Sequence, residues 1–317
     1  MRFRLITSLL AAVALLAVPA AAQAKLTVGI GENNPGIFTD PLFGQLGAKH
    51  ARVVVSYNVV AKNDDEFYRV AQYLDGAKAA GVTPLVTFEH ARGDATLCKK
   101  KKNRKKAQCK LPAAKQYEKA IKAFKKRFSA VRNVVPWNEV NHFTQPTYKS
   151  PKAAAKFTKI ARKVFKGRTV LAVDMLDQAN NPSAKKPKFT SATKYAKTFR
   201  KALGGSRKIC GIHNYSDINR FRTTGTKALM KGLGCKQYWL TEVGGIYKFT
   251  GFKKSEKRQL KATKYMFKVA KKNTRVKRLY VYTWFGGVTP RFDAGLVANG
   301  KARKAYAEVR KHVKKKK

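Results

Sequence analysis

The chain is short of acid. Its 317 residues carry 17 Asp+Glu against 69 Lys+Arg, a formal charge of +52 at pH 7. That imbalance says nothing about fold, but such a surface attracts polyanions: nucleic acid, anionic lipid or acidic glycan. It also gives weight to every carboxylate at a strand end, because there are few to spare. Other signals are missing. GIGEN at 29–33 lacks the G-x-G-x-x-G spacing, and no other early strand opens a Gly-rich phosphate loop, which argues against a dinucleotide-binding open sheet. No Ser-His-Asp order is visible, against a protease or esterase of that type. There are only four cysteines, none at zinc-ligand spacing with histidine, so neither a metal nor a cofactor is expected. No linker, helical repeat or propeller repeat divides the chain. A hydrophobic fraction of 44% with 11% aromatics excludes a disordered chain, and the length suffices for one large, well-buried domain.

Residues 1–24 read as a secretory signal. Arg2 and Arg4 open it, Leu5 to Val18 form its apolar run, and Ala22, Gln23 and Ala24 supply a small-x-small cleavage site before Lys25. The run is too short to span a membrane comfortably, and no other stretch is long and apolar enough. A secreted or envelope-associated protein is expected, its mature domain running from 25 to 317. All four cysteines lie in that part, which fits an oxidising compartment. Three pairings are possible; the local one, Cys98 with Cys109 and Cys210 with Cys235, is the expectation.

What is present is a repeated theme: a β-branched run, a polar loop, then a helix-period segment. The runs are LTVGIG (26–31), ARVVVSY (51–57), TPLVTFE (83–89), NVVPWNE (133–139), TVLAVDM (169–175), KICGIHNY (208–215), QYWLTEV (237–243) and RLYVYTWF (278–285). Most are continuously apolar, as parallel strands covered on both faces must be. Between them, Phe67, Val70, Leu74 and Ala77 make one helical stripe, and Tyr117, Ile121, Phe124 and Phe128 another. Ser150-Pro151 and Ser255 mark helix starts, Thr190 another, and Gly81 and Gly204 mark stops. Eight strand-then-helix units predict a single-domain α/β fold, the (β/α)8 TIM barrel, with reactive groups at the C-terminal strand ends.

Those ends carry polar groups that an apolar strand would not otherwise tolerate. The fourth run ends in Trp137, Asn138 and Glu139, and the seventh in Glu242. Arg52 lies on the second, His90 ends the third, His213 and Tyr215 end the sixth, and Trp284 ends the eighth. Carboxylates, an imidazole, amides and rings together suit a sugar, whose C–H faces stack on rings while its hydroxyls meet polar groups. Two carboxylates are the minimum for glycoside hydrolysis. Runs four and seven lie nearly across from one another in an eight-stranded barrel.

In this arrangement the chain resembles clan GH-A of the retaining glycosidases. Asn138-Glu139 is similar to that clan's strand-four Asn-Glu signature, where the Glu is the acid/base, and Thr241-Glu242 to its strand-seven nucleophile position. His213, Tyr215 and Trp284 match its strand-six and strand-eight residues, Arg52 its strand-two Arg, and His90 its substrate-binding His. The resemblance implies a polysaccharide or oligosaccharide substrate and double displacement with retention, with Glu139 as acid/base and Glu242 as nucleophile. Arg52, His90, Trp137, Asn138, His213, Tyr215 and Trp284 would bind substrate. It further implies that Trp284 floors the cleavage subsite, that Asn138 holds the 2-hydroxyl, and that the Glu242 anion raises the pKa of Glu139.

Two charged patches remain, KKKKNRKK at 99–106 and the terminal KHVKKKK. They read as solvated charge or as a tether to an anionic polymer or cell surface. No aromatic-interleaved nucleic-acid motif accompanies them. A monomer is expected. The alternative to an enzyme is a non-catalytic, cationic glycan- or polyanion-binding barrel of the cell envelope.

Overall fold

The computed structural model describes residues 26–61, 63–94, 97–98, 100–103, 105–177, 191–289 and 291–313. The signal segment 1–24, Thr190 and the last four lysines lie outside them. The barrel strands, labelled here in chain order, are β1 (Thr27–Gly31), β2 (His50–Ser56), β3 (Thr83–Glu89) and β4 (Asn133–Val135). Next comes β5, in two halves, Thr169–Val170 and Asp174–Leu176. The last three are β6 (Ile209–His213), β7 (Gln237–Val243) and β8 (Val276–Tyr282). Every neighbouring pair is parallel.

The break in β5 closes the ring. Its first half pairs with β4 and its second with β6. Across the gap, Leu171 N donates to Val134 O on one side and Ala172 N to Ile209 O on the other. The fifth run therefore touches both neighbours, as a barrel requires, although it is not a continuous ladder.

The helices are α1 (Pro41–Leu46), α2 (Asp65–Ala79), α3 (Ala114–Arg127), α4 (Pro151–Val164) and α5 (Ala192–Leu203). They continue with α6 (Tyr215–Asn219), α7 (Thr224–Leu233), α8 (Glu256–Lys272) and α9 (Lys304–Val313). Their ends have local causes. Asp64 accepts from the Glu66 and Phe67 amides at the start of α2, Ser191 from Lys194 at α5, and Ser255 from Arg258 at α8. None of the described helices is long and apolar enough to cross a membrane. Both local disulfides are present, Cys98–Cys109 and Cys210–Cys235.

Side-chain alternation divides the core. The outward faces of the strands, such as Val53, Val55, Val86, Leu240 and Val281, pack under the helices. Inside the ring, Leu85, Val135, Leu171, Trp239 and Tyr280 form a separate apolar layer. Two small residues make room for the rings: a Cβ on Gly29 would lie 2.8 Å from the Tyr280 ring, and one on Gly31 would lie 3.3 Å from the Tyr282 ring. One step further along the same strands the interior turns polar, with Thr87, Thr241, Asp174 and Arg52, all at most 1% exposed.

Candidate active site

Arg52 is the hub of that polar layer. Its Nη1 donates to Glu242 Oε2 at 2.6 Å, its Nη2 to Asn138 Oδ1 at 2.8 Å and to Asp174 Oδ2 at 3.3 Å, and its Nε to Thr87 Oγ1 at 3.1 Å. A guanidinium offers five donors in a fixed fork, so one buried side chain can hold two carboxylates and an amide together. Burial alone would favour the neutral form, but Glu242 and Asp174 outweigh it and raise the Arg52 pKa.

The parallel register sets His213 of β6 against Glu242 of β7, and Asp174 of β5 against Gly211 of β6. A Cβ at position 211 would lie 1.5 Å from Asp174 Oδ1, so the glycine is the space that the carboxylate fills. Asp174, fully buried, also accepts from Thr241 Oγ1 at 2.6 Å and faces His213 Nε2 at 3.3 Å. Burial opposes its ionisation, yet His213, Arg52 and Thr241 hold its carboxyl below the usual value.

Glu139 follows β4 in a tight turn with φ of +39°, a left-handed conformation uncommon for a residue with a side chain. Its Oε1 lies 3.0 Å from His213 Nδ1 and its Oε2 lies 3.7 Å from His142 Nδ1. Burial would raise its pKa, but the His213 hydrogen bond, with His142 and Arg52, brings it down to about 2. His213 moves the other way: burial would lower it, but Glu242, Asp174 and Glu139 raise it to about 9. The two therefore form an ion pair, which corrects the expectation that the Glu242 anion would raise Glu139. The His213 hydrogen bond, together with His142 and Arg52, outweighs burial.

Tyr215 OH donates to Glu242 Oε1 at 3.2 Å. Donor atoms of Glu139, His213 and Glu242 all lie within 4.8 Å of one another, so the two carboxylates face each other across one small gap. The same three residues could in principle ligate a cation. Both nitrogens of His213 are engaged by carboxylates, and the Arg52 guanidinium sits on Glu242.

Arg52, Asn138, Glu139, His213, Tyr215 and Glu242 thus come together. Three other expected residues do not join them. Trp137, 1% exposed, is stacked between Tyr57 and Phe157 and donates from Nε1 to Gln145 Oε1 at 2.9 Å. Trp284, fully buried, packs edge-on against Phe43 and Tyr306 and donates to Asp40 Oδ2 at 2.9 Å. Neither indole has a free face, so the expectation that they bind sugar is corrected: both are core, fixing the β4 turn and the α1 loop. His90 is also buried. Its Nδ1 lies 2.7 Å from Ala91 O and its Nε2 lies 3.7 Å from Glu89 Oε2.

Four further residues lie at the site without a role assigned from the sequence, although Thr241 stood beside Glu242 and Asp174 read as structural. Asp174 ties Arg52 to His213, Thr241 orients Asp174, and His142 faces Glu139. The fourth, Tyr282, ends β8 partly exposed, and the nearby Glu242, Glu32 and Glu139 add to burial in raising its pKa. The alternation Tyr280, Tyr282, Trp284 was visible in the sequence, but which ring reaches the pocket depends on the strand ending at Tyr282.

No protein-family model matches the chain, and no curated protein does. Solved structures do. The β-glycosidase BGL167 superposes with a TM-score of 0.60 at 11% identity, covering 87% of this chain and 85% of the other. The family 1 β-glucosidase from Thermotoga maritima gives 0.57 at 11% identity over 87% of this chain and 86% of the other. A GH113 β-1,4-mannanase gives 0.55 at 10% identity over 92% of this chain and all of the other. What the chain shares with these proteins is the (β/α)8 barrel.

Proposed function

We propose that the chain is a secreted retaining glycoside hydrolase with Glu242 as nucleophile and Glu139 as acid/base. The observation that carries the reading is the convergence of these two carboxylates, from the ends of β4 and β7, within 4.8 Å across one gap. Retaining enzymes hold their carboxyl groups about 5–5.5 Å apart, whereas inverting ones leave about 6.5–9.5 Å for a water. That the barrel is shared with a β-glycosidase, a β-glucosidase and a β-mannanase adds to the case.

The chemistry follows from the hydrogen bonds. Glu242, held by Arg52 and oriented by Tyr215, attacks the anomeric carbon as the bond to the leaving oxygen breaks. That oxygen takes one proton from the Glu139–His213 pair. In the resting site this proton sits on His213. Transfer across the 3.0 Å contact leaves neutral His213 and a protonated Glu139, which is the acid the step needs. Water then gives its proton back to Glu139 and attacks the glycosyl ester, releasing Glu242 and a sugar of unchanged configuration. Asn138 Oδ1 is fixed by Arg52, which leaves Nδ2 for the sugar 2-hydroxyl, and Tyr282 supplies the partly exposed ring.

On a panel of nitrophenyl glycosides and polysaccharides, Glu139→Ala and Glu242→Ala are each expected to lower kcat by about 10²- to 10⁴-fold. Wild-type turnover in either variant contradicts the proposal. A second reading, a cationic glycan- or polyanion-binding barrel, is favoured by the ion pairing that holds Glu139 as an anion at rest. It predicts binding without turnover, weakening steeply with salt.

A further inference from the structure

Beyond the reactive pair, an aromatic track leads out of the pocket. The Phe292 ring centroid lies 5.6 Å from that of Tyr215, which hydrogen-bonds Glu242, and 6.2 Å from that of Tyr282. On its far side it lies 5.9 Å from Phe249, which is 40% exposed. Single exposed apolar residues are ordinary on protein surfaces, and Tyr68 on α2 is one, at 51%. Phe249 differs in being continuous, ring to ring, with the tyrosine on Glu242.

The track is also held rigidly. Lys248–Phe249 pairs antiparallel with Phe292–Asp293. Asp293 is clamped by Arg303, Nη1 at 2.8 Å and Nη2 at 2.7 Å, and by the amides of Gly287 and Gly295. Arg303 in turn lies 3.9 Å from the centroid of the Tyr247 ring, and Tyr247 N donates to Asp293 O. A pair of rings fixed in this way loses little freedom when a ligand covers it.

We propose that Phe292 and Phe249 form an outer sugar-binding subsite that takes a further pyranose ring of the same glycan. The pocket at the carboxylates holds one end of the cut bond, and the ring-to-ring steps outward, 5.6 Å and 5.9 Å, are on the scale of one sugar residue. This rests on the hydrolase reading for where the substrate begins, but the subsite needs only glycan binding. It makes the natural substrate an oligosaccharide or polysaccharide rather than a lone glycoside.

The test is a chain-length series. β-1,4-linked gluco- and manno-oligosaccharides of two to six units are assayed with the full chain and with Phe249→Ala, Phe249→Trp and, as an off-track control, Tyr68→Ala. Phe249→Ala should lower the ratio of kcat/KM for the longest to the shortest substrate by about three- to tenfold, the worth of one ring contact. Phe249→Trp should restore the ratio and Tyr68→Ala should leave it alone. An unchanged ratio in Phe249→Ala overturns the subsite. If the wild type cleaves none of these probes, calorimetric binding of the same oligosaccharides decides the subsite independently of the hydrolase reading. A similar loss of affinity in Phe249→Ala supports it; equal affinity, or no wild-type binding of any probe, overturns it.

Discussion

The barrel interior carries two layers, two residues apart on the same strands. Leu85, Trp239 and Tyr280 belong to the lower one, and Thr87, Thr241 and Tyr282 to the upper. The lower layer is apolar and each side chain needs only to fill space. In the upper layer Arg52, Asp174, His213, Glu139 and Glu242 are mutually dependent, and each has its charge balanced by another. One pleat repeat thus separates residues whose loss costs packing from residues whose loss strands a buried charge. A scaffold that gains its stability from the first kind can carry the second, provided that every polar group is satisfied.

Breaking the hub should give the largest effect. Arg52→Met leaves Asp174 and Glu242 without their guanidinium and should cost about 3–5 kcal/mol in urea unfolding, together with activity. Leu85→Ala, one layer down, should cost a similar 2–5 kcal/mol or so through its cavity, yet keep the shape of the pH profile of kcat/KM. If both variants alter that profile alike, the layers are not functionally separate. Gly211→Ala should be milder, about 1–3 kcal/mol, but should lower kcat, because the added methyl displaces Asp174 from its place between Arg52 and His213. Unaltered turnover would show that this carboxylate does not matter to the site.

The pH response follows from the ion pair. His213 has a folded pKa of about 9 against an ordinary 6.5, so its stabilisation is complete below 6.5 and is lost as pH rises through 9. Glu139, at about 2 against 4.5, contributes above 4.5 and loses its contribution as pH falls through 2. The pair is therefore worth most between about pH 4.5 and 6.5. Glu139→Gln should flatten the stability profile outside that window, as measured by Tm against pH. The smallest effect concerns the rings. Trp284→Phe loses the hydrogen bond to Asp40, about 1 kcal/mol, and should leave KM in place, whereas Tyr282→Ala should raise it. The opposite result would restore Trp284 as the sugar platform.

Much of this was legible in the sequence. Continuous apolar runs and helix caps gave the barrel, because period and capping are local properties. Glu139 and Glu242 stood out because a carboxylate at the end of an apolar strand is otherwise costly. The rest was tertiary. Asp174 looks like any acid in TVLAVDM until Gly211 on the next strand is seen to leave room for it. Trp137 and Trp284 look like platforms until their faces are found covered. The pKa of Glu139 turns on His213, 74 residues away, and no local pattern could reveal that contact or its sign.

The central claim is that the two glutamates work as nucleophile and acid/base across one gap, at the spacing of direct attack. Proton NMR of the first-formed product from a nitrophenyl glycoside that the wild type cleaves tests it directly. The account predicts that the sugar appears with the anomeric configuration of the substrate and only then mutarotates. First appearance of the opposite anomer would contradict it.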